Sequence, residues 1–186
     1  MEDGDEAVVI DPGCEAAEQI LEVLGNRARI TAILLTHNHS DHTRALTDLA
    51  EETGAPVFIH PADKETVEKG WIVLKNIRKT GDEVILPTRP LVDGDTLNFG
   101  EIKIGVIETP GHTPGSCCFL VDGHLFSGDT LFHKNVGRTD LAGGNEDQLK
   151  NSLKKLLGLN PNTVVHPGHD EDWSIGEAQK FNHFPI

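Results

Sequence analysis

Thr36-His37-Asn38-His39-Ser40-Asp41-His42 places three imidazoles and a carboxylate within six positions. An apolar run, Ala32-Ile33-Leu34-Leu35, leads into it, and a helix-like segment from Ala45 to Glu52 leads out. A strand that stops abruptly delivers its last side chains to a sheet edge beside the next helix, where open α/β sheets collect ligands. Neutral imidazoles with a carboxylate suit zinc, iron or manganese. His37, His39 and Asp41 cannot share one helix face, so the stretch reads as a loop wrapped around its ligand, with His42 opening the helix. Donors at that spacing can present two atoms to one ion and two to a second. The reading is a two-metal site.

Around this loop the chain alternates strand and helix. Ala7-Val8-Val9-Ile10 reads as a strand ending in an Asp11-Pro12-Gly13 turn. Glu15 to Leu24 carries Ala16, Ile20, Leu21 and Leu24 at helical spacing, closed by Gly25. Ile30 to Leu35 is the strand that feeds the loop, so a right-handed βαβ unit with a parallel strand pair is expected. Thr43 to Thr53 reads as a helix, Pro56 to His60 as a strand and Ala62 to Lys69 as a short helix. His60, at that strand end, is assigned a packing or supporting role. Gly70 to Pro90, which holds Trp71, reads as a surface loop.

From Leu91 the signals become antiparallel. Thr96–Phe99 and Ile102–Ile107 flank a Gly100-Glu101 turn, and Cys117–Val121 and His124–Phe126 flank Asp122-Gly123. His124, beside a turn, is expected to be exposed. Asn145 to Leu157 is an amphipathic helix with Leu149, Leu153, Leu156 and Leu157 on one stripe, followed by a Thr163–Val165 strand and an Ile175–Phe181 helix. No linker or low-complexity tract interrupts the 186 residues, which suit one well-filled domain over 1–186.

The formal net charge of -14, with no basic run, argues against nucleic acid and against an anionic membrane surface as partners. No apolar run is long enough to span a bilayer, and the acidic start Met1-Glu2-Asp3-Gly4-Asp5-Glu6 is unlike the basic start of a signal peptide. Cys14, Cys117 and Cys118 are an odd set, two of them adjacent and so on opposite faces of a strand, which suits buried thiols in a reducing cytoplasm.

Three further turns each follow a strand and carry a ligand-type residue: Thr109-Pro110-Gly111-His112-Thr113-Pro114-Gly115, Ser127-Gly128-Asp129-Thr130, and His166-Pro167-Gly168-His169-Asp170. Two Pro-Gly pairs around His112 fix its backbone on both sides, as a preorganised ligand requires.

In this order, His-x-His-x-Asp-His, then His between two Pro-Gly pairs, then Gly-Asp-Thr, then Pro-Gly-His, the chain resembles the metallo-β-lactamase superfamily. Gly128-Asp129-Thr130-Leu131-Phe132, Gly137-Arg138-Thr139-Asp140 and Ile175-Gly176-Glu177 resemble its short glyoxalase II-like (hydroxyacylglutathione hydrolase-like) members. The resemblance implies an α/β fold, an αββα sandwich of two mixed β-sheets flanked by helices, lacking the first edge strand and so exposing a pairing edge or calling for a partner subunit. It implies His37, His39 and His112 on one metal, Asp41, His42 and His169 on the other, and Asp129 between them. It selects His169 over His166 because the family ligand follows Pro-Gly. Zinc is the first expectation for the two divalent ions, with iron or manganese as alternatives. A metal-bridging hydroxide would attack a small thioester, Asp41 would orient it and relay its proton, and Arg138 would anchor a carboxylate or amide of the substrate. Two departures touch glutathione specificity: the chain carries no C-terminal helical region of the glyoxalase II type, and Arg44-Ala45 replaces a common glycine. The alternatives are a mononuclear non-haem iron persulfide dioxygenase, a lactone or β-lactam hydrolase, and a metal-binding shell without activity.

Overall fold

A computed structural model describes residues 5–13, 17–25, 28–64 and 88–181. The chain divides into two compact units, Met1–Pro90 and Leu91–Ile186.

The first unit is built on a four-stranded sheet in the order β1-β2-β3-β4: β1 (Asp5–Ile10), β2 (Ala28–Leu34), β3 (Val57–Ile59) and β4 (Thr88–Pro90). Every described pair is parallel, and the expected βαβ unit is present, with α1 (Ala17–Leu24) between β1 and β2. The apolar run of β2 explains its central place. Ile30, Ala32, Ile33 and Leu34 are all buried, as a parallel strand covered on both faces requires. Ile20, Leu21 and Leu24 of α1 and Leu46 and Leu49 of α3 (Leu46–Thr53) pack with Ile30 and Ile33 in one core. The helix expected from Thr43 is divided: α2 (Ser40–Thr43) is a separate turn, and buried Ala45 stands between it and α3. The loop expected over Gly70–Pro90 ends instead in β4, which pairs with β3 through Val57–Ile59. Pro90 lacks an N–H donor, which an edge strand tolerates. The short helix at Ala62 is helical over 61–64. Cys14, Trp71 and the rest of that helix and loop lie outside the described residues.

The second unit holds a six-stranded sheet in the order β12-β11-β8-β7-β6-β5. Both expected hairpins are present: β5 (Thr96–Phe99) with β6 (Ile102–Glu108), and β7 (Cys117–Val121) with β8 (His124–Gly128). Asp122 (φ 46°) and Gly123 (φ 83°) are both left-handed, the backbone that a two-residue hairpin turn demands. β11 (Val164–Pro167) joins β8 in parallel and pairs antiparallel with β12 (Trp173–Ser174), making this sheet mixed. A ribbon of β9 (Leu131–Phe132) and β10 (Asn135–Val136) follows β8, too short to be read from a pattern. Helix α4 (Glu146–Leu157) starts where Asn145 Oδ1 accepts the Gln148 N–H at 3.0 Å. Its leucine stripe packs with Cys118, Leu125, Val165 and Ile175. Helix α5 (Ile175–Lys180) opens with a capping box of Ser174 and Glu177. Cys117 and Cys118 are buried and in no disulfide, as expected. Among the described residues no helix is long and apolar enough to cross a membrane.

Candidate metal centre

In the first unit the ligand-type residues follow the exit of β2. His37 and His42 are buried, His39 is half-buried, and the Asp41 carboxylate is open to solvent. The His37 ring lies edge-on to His39 with centroids 4.7 Å apart, and 4.2 Å from that of His42. His42 is helical, as expected, but α2 already includes Asp41, which was expected in the loop; Asp41 Oδ2 lies 3.9 Å from His42 Nε2.

Asp11 organises this set. At the end of β1 it adopts φ 48°, and its carboxylate accepts three bonds: Thr36 N–H at 2.7 Å, Thr36 Oγ1–H at 2.6 Å and His42 Nδ1–H at 2.8 Å. A carboxylate only accepts, so His42 carries its proton on Nδ1 and a lone pair on Nε2. The same logic reaches His37. Its Nδ1 lies 3.0 Å from Thr36 Oγ1, whose hydrogen is committed to Asp11, so the ring must donate from Nδ1 and keep its lone pair on Nε2. Asp63, fully buried, accepts the Asn38 N–H at 3.2 Å and ties down the backbone between His37 and His39.

In the second unit, His112 sits in the β6–β7 turn, buried, with Nδ1 2.8 Å from the Arg138 carbonyl oxygen. A carbonyl also only accepts, so His112 has the same tautomer. Asp129, just beyond β8, holds Oδ2 3.5 Å from His112 Nε2 and Oδ1 3.8 Å from His169 Nε2, one oxygen toward each ring. Gly137 allows this closeness: a Cβ there would lie 1.8 Å from the Asp129 carbonyl oxygen and 3.1 Å from His112 Nδ1.

Three imidazoles are thus turned so that Nε2, not Nδ1, is the ligand nitrogen, each held from behind by a carboxylate, a hydroxyl or a carbonyl. Metal-binding histidines are oriented in this way. The donor set fits zinc, iron or manganese. Other predicted residues are placed differently. The Arg138 guanidinium forks onto Asp140, with Nε and a terminal nitrogen each 2.7 Å from a carboxylate oxygen, and the residue is exposed. Those bonds hold the Asp140 carboxyl down at about 2 and raise Arg138. His166 bonds Asp172 and His124, and His60 Nδ1 accepts the Ala62 N–H in a local turn. Asp11, Thr36 and Asp63 were not anticipated. The one hint was an aspartate at the exit of an apolar strand, beside the Pro-Gly of a turn.

The family model of the metallo-β-lactamase superfamily matches residues 1–169. The chain belongs to the metallo-β-lactamase superfamily. Within that superfamily, the probable metallo-hydrolase YqgX of Bacillus subtilis is 35% identical over 97% of this chain and 87% of its own length. The hydroxyacylglutathione hydrolase GloC of Haemophilus influenzae is 30% identical over 98% and 89%. Among solved structures, TTHA1623 in a di-iron-bound form is 38% identical with a TM-score of 0.79, covering 94% of this chain and 87% of its own. The BLEG-1 B3 metallo-β-lactamase is 35% identical with a TM-score of 0.83 over 98% and 90%. ETHE1 from Myxococcus xanthus is 31% identical with a TM-score of 0.74 over 98% and 75%. These neighbours bear out the expected fold class.

Proposed function

We propose that this chain is a dinuclear thioester hydrolase acting on a small molecule, with zinc as its first metal. In this reading the two units together form one functional domain. His37, His39 and His112 hold one ion, Asp41, His42 and His169 hold the other, and Asp129 serves both. The observation that carries the proposal is the common tautomer of His37, His42 and His112, each fixed with Nε2 as its ligand nitrogen. The similarity to GloC supports the thioester. When bound, two such cations supply a water of near-neutral pKa and polarise a carbonyl.

The protein's own groups do the rest. Asp41, exposed beside His42, has a carboxylate oxygen that can orient that water and take its proton. Arg138 meets an acidic group of the substrate by exchanging Asp140 for it, a swap between two carboxylates at a solvent-exposed guanidinium. A thiolate leaves without a general acid, so the reaction needs no second acid. No nucleic-acid or membrane partner enters this reading, and the site of action is the cytoplasm.

Elemental analysis of the purified protein should give near two metals per chain, and free-thiol detection should follow hydrolysis of small thioesters. His112→Ala should remove about one metal and nearly all hydrolysis; retained activity sinks the assignment. A second reading rests on the similarity to ETHE1 and on the Gly137-Arg138-Thr139-Asp140 stretch: a single iron in an oxygen-consuming enzyme that acts on a persulfide. Near one metal per chain, chiefly iron, with oxygen uptake and no thiol release would decide for it.

A further inference from the structure

On the second sheet, β8 and β11 run parallel with Val164 opposite His124 and His166 opposite Phe126. Side chains two apart on a strand share a face, so His124, Phe126 and His166 stand together and the two histidines are diagonal neighbours. The His166 ring lies between the other two, with centroids 5.1 Å from each and tilts of 12° to His124 and 28° to Phe126. Asp172 Oδ2 accepts from His166 Nδ1 at 2.8 Å, which leaves the lone pair of His166 on Nε2. That lone pair faces His124 Nδ1 at 2.8 Å.

Such a contact holds a proton, or it opens to admit an ion. Two imidazole nitrogens at about 2.0–2.1 Å from a tetrahedral ion stand about 3.3 Å apart, so the pair needs to open by only about 0.5 Å. His124 is exposed, and the His166 side chain is 27% exposed, which gives an ion direct access from solvent. His124 must only move its proton from Nδ1 to Nε2, which water permits. His166 is already in the right tautomer, and Asp172 behind it completes a carboxylate–histidine–metal arrangement.

We propose that His124 and His166 form a solvent-facing site for one divalent transition-metal ion, separate from the candidate metal centre. Asp172 is its orienting carboxylate and water fills the remaining positions. Imidazole pairs follow the general affinity order, so Cu2+ binds most tightly, ahead of Ni2+ and Zn2+.

The test uses the protein carrying its resident metals, titrated with Cu2+. Element analysis tracks both copper gained and resident metal lost, and electron paramagnetic resonance counts nitrogen ligands. One additional copper per chain is expected, with two nitrogen ligands and no resident metal released. His124→Ala and His166→Ala should each weaken this site at least tenfold, and Asp172→Asn about 10–100-fold. His112→Ala, which alters the other centre, should leave it intact. His124→Ala sits at an exposed turn and removes nothing from the core, so it decides the matter even where His166→Ala folds poorly. Unchanged copper affinity in His124→Ala, coordination by a single nitrogen, or loss of the extra copper in His112→Ala overturns the proposal.

Discussion

Asp11→Asn changes no volume, yet it should place protons on two ligand nitrogens at once. Asparagine tolerates the left-handed backbone at this position, so the turn survives. With its oxygen toward the Thr36 N–H, the new amide keeps the 2.7 Å bond, but its NH2 replaces the oxygen that accepted from Thr36 Oγ1 and His42 Nδ1. Thr36 must then accept from the amide and donate its hydrogen to His37 Nδ1. His42, facing a donor, must accept on Nδ1 as well. Both rings flip to the tautomer with hydrogen on Nε2. The opposite amide orientation sets NH2 against the Thr36 N–H, so no orientation satisfies all three donors.

Holding both rings in the metal-binding tautomer then sets one or two ring N–H groups against neutral donors and leaves them unsatisfied. At about 1–3 kcal/mol each, the cost is about 1–6 kcal/mol, a loss of metal affinity between about fivefold and about 10⁴-fold. The assay is a competitive chelator titration of the apo-protein with Zn2+, with thermal unfolding as the folding control and long-range 1H–15N spectra for the tautomers. Thr36→Ser keeps the hydroxyl and should bind metal within about threefold of the parent. Thr36→Val removes only the His37 half of the relay and should fall between. An Asp11→Asn protein that folds, binds zinc like the parent and keeps His37 protonated on Nδ1 would refute the reasoning.

Two further outcomes follow. Gly137→Ala drives a Cβ to 1.8 Å from the Asp129 carbonyl and should cost about 1–3 kcal/mol of stability along with metal content, whereas Gly105→Ala, whose Cβ would meet nothing closer than 3.7 Å, should be near neutral; equal denaturation midpoints and metal contents for the two would remove Gly137 from the site. Asp140, held down at about 2 by the Arg138 fork, stays ionised across the neutral range: its contribution is fully present above the ordinary carboxylate value and is lost only as pH falls toward about 2. Asp140→Asn should therefore release the guanidinium at neutral pH and lower KM severalfold for a carboxylate-bearing thioester while leaving a neutral one unchanged; equal shifts for both substrates would reduce Arg138 to a structural residue.

The ligand-type residues were legible because each sits where an apolar run stops and a glycine or a histidine cluster begins. His37 follows Leu34-Leu35, His112 follows the strand ending at Glu108, and Asp129 follows Gly128. The residues behind them were not legible, for two reasons. Asp11 lies 25 positions from Thr36 and 31 from His42, and only the parallel pairing of β1 with β2 closes that gap. The partner of His112 is a backbone carbonyl, that of Arg138, which any residue supplies and no side-chain pattern marks. Strand β4 escaped for a similar reason. Thr88-Arg89-Pro90 has no alternation of its own, and its pairing depends on the strand edge that β3 offers.

Asp11 shows how one residue can be read correctly and still be misjudged. Asp-Pro-Gly is a turn signature, and the turn is there: Asp11 N–H bonds the Leu34 carbonyl, and the Pro12 carbonyl accepts from Ala45 N–H ahead of α3. A turn alone would be served best by glycine at φ 48°, since a side chain in the left-handed region costs about 1–2 kcal/mol. Asp122, at φ 46°, occupies the same region in an exposed hairpin, where the turn accounts for the residue. Asp11 has only 12% of its side chain exposed and meets three donors with two oxygens. Three charge-assisted bonds outweigh the backbone strain severalfold, so the carboxylate rather than the bend accounts for aspartate here. A strained non-glycine residue whose side chain reaches a histidine is therefore a stronger pointer to the centre than the turn it makes.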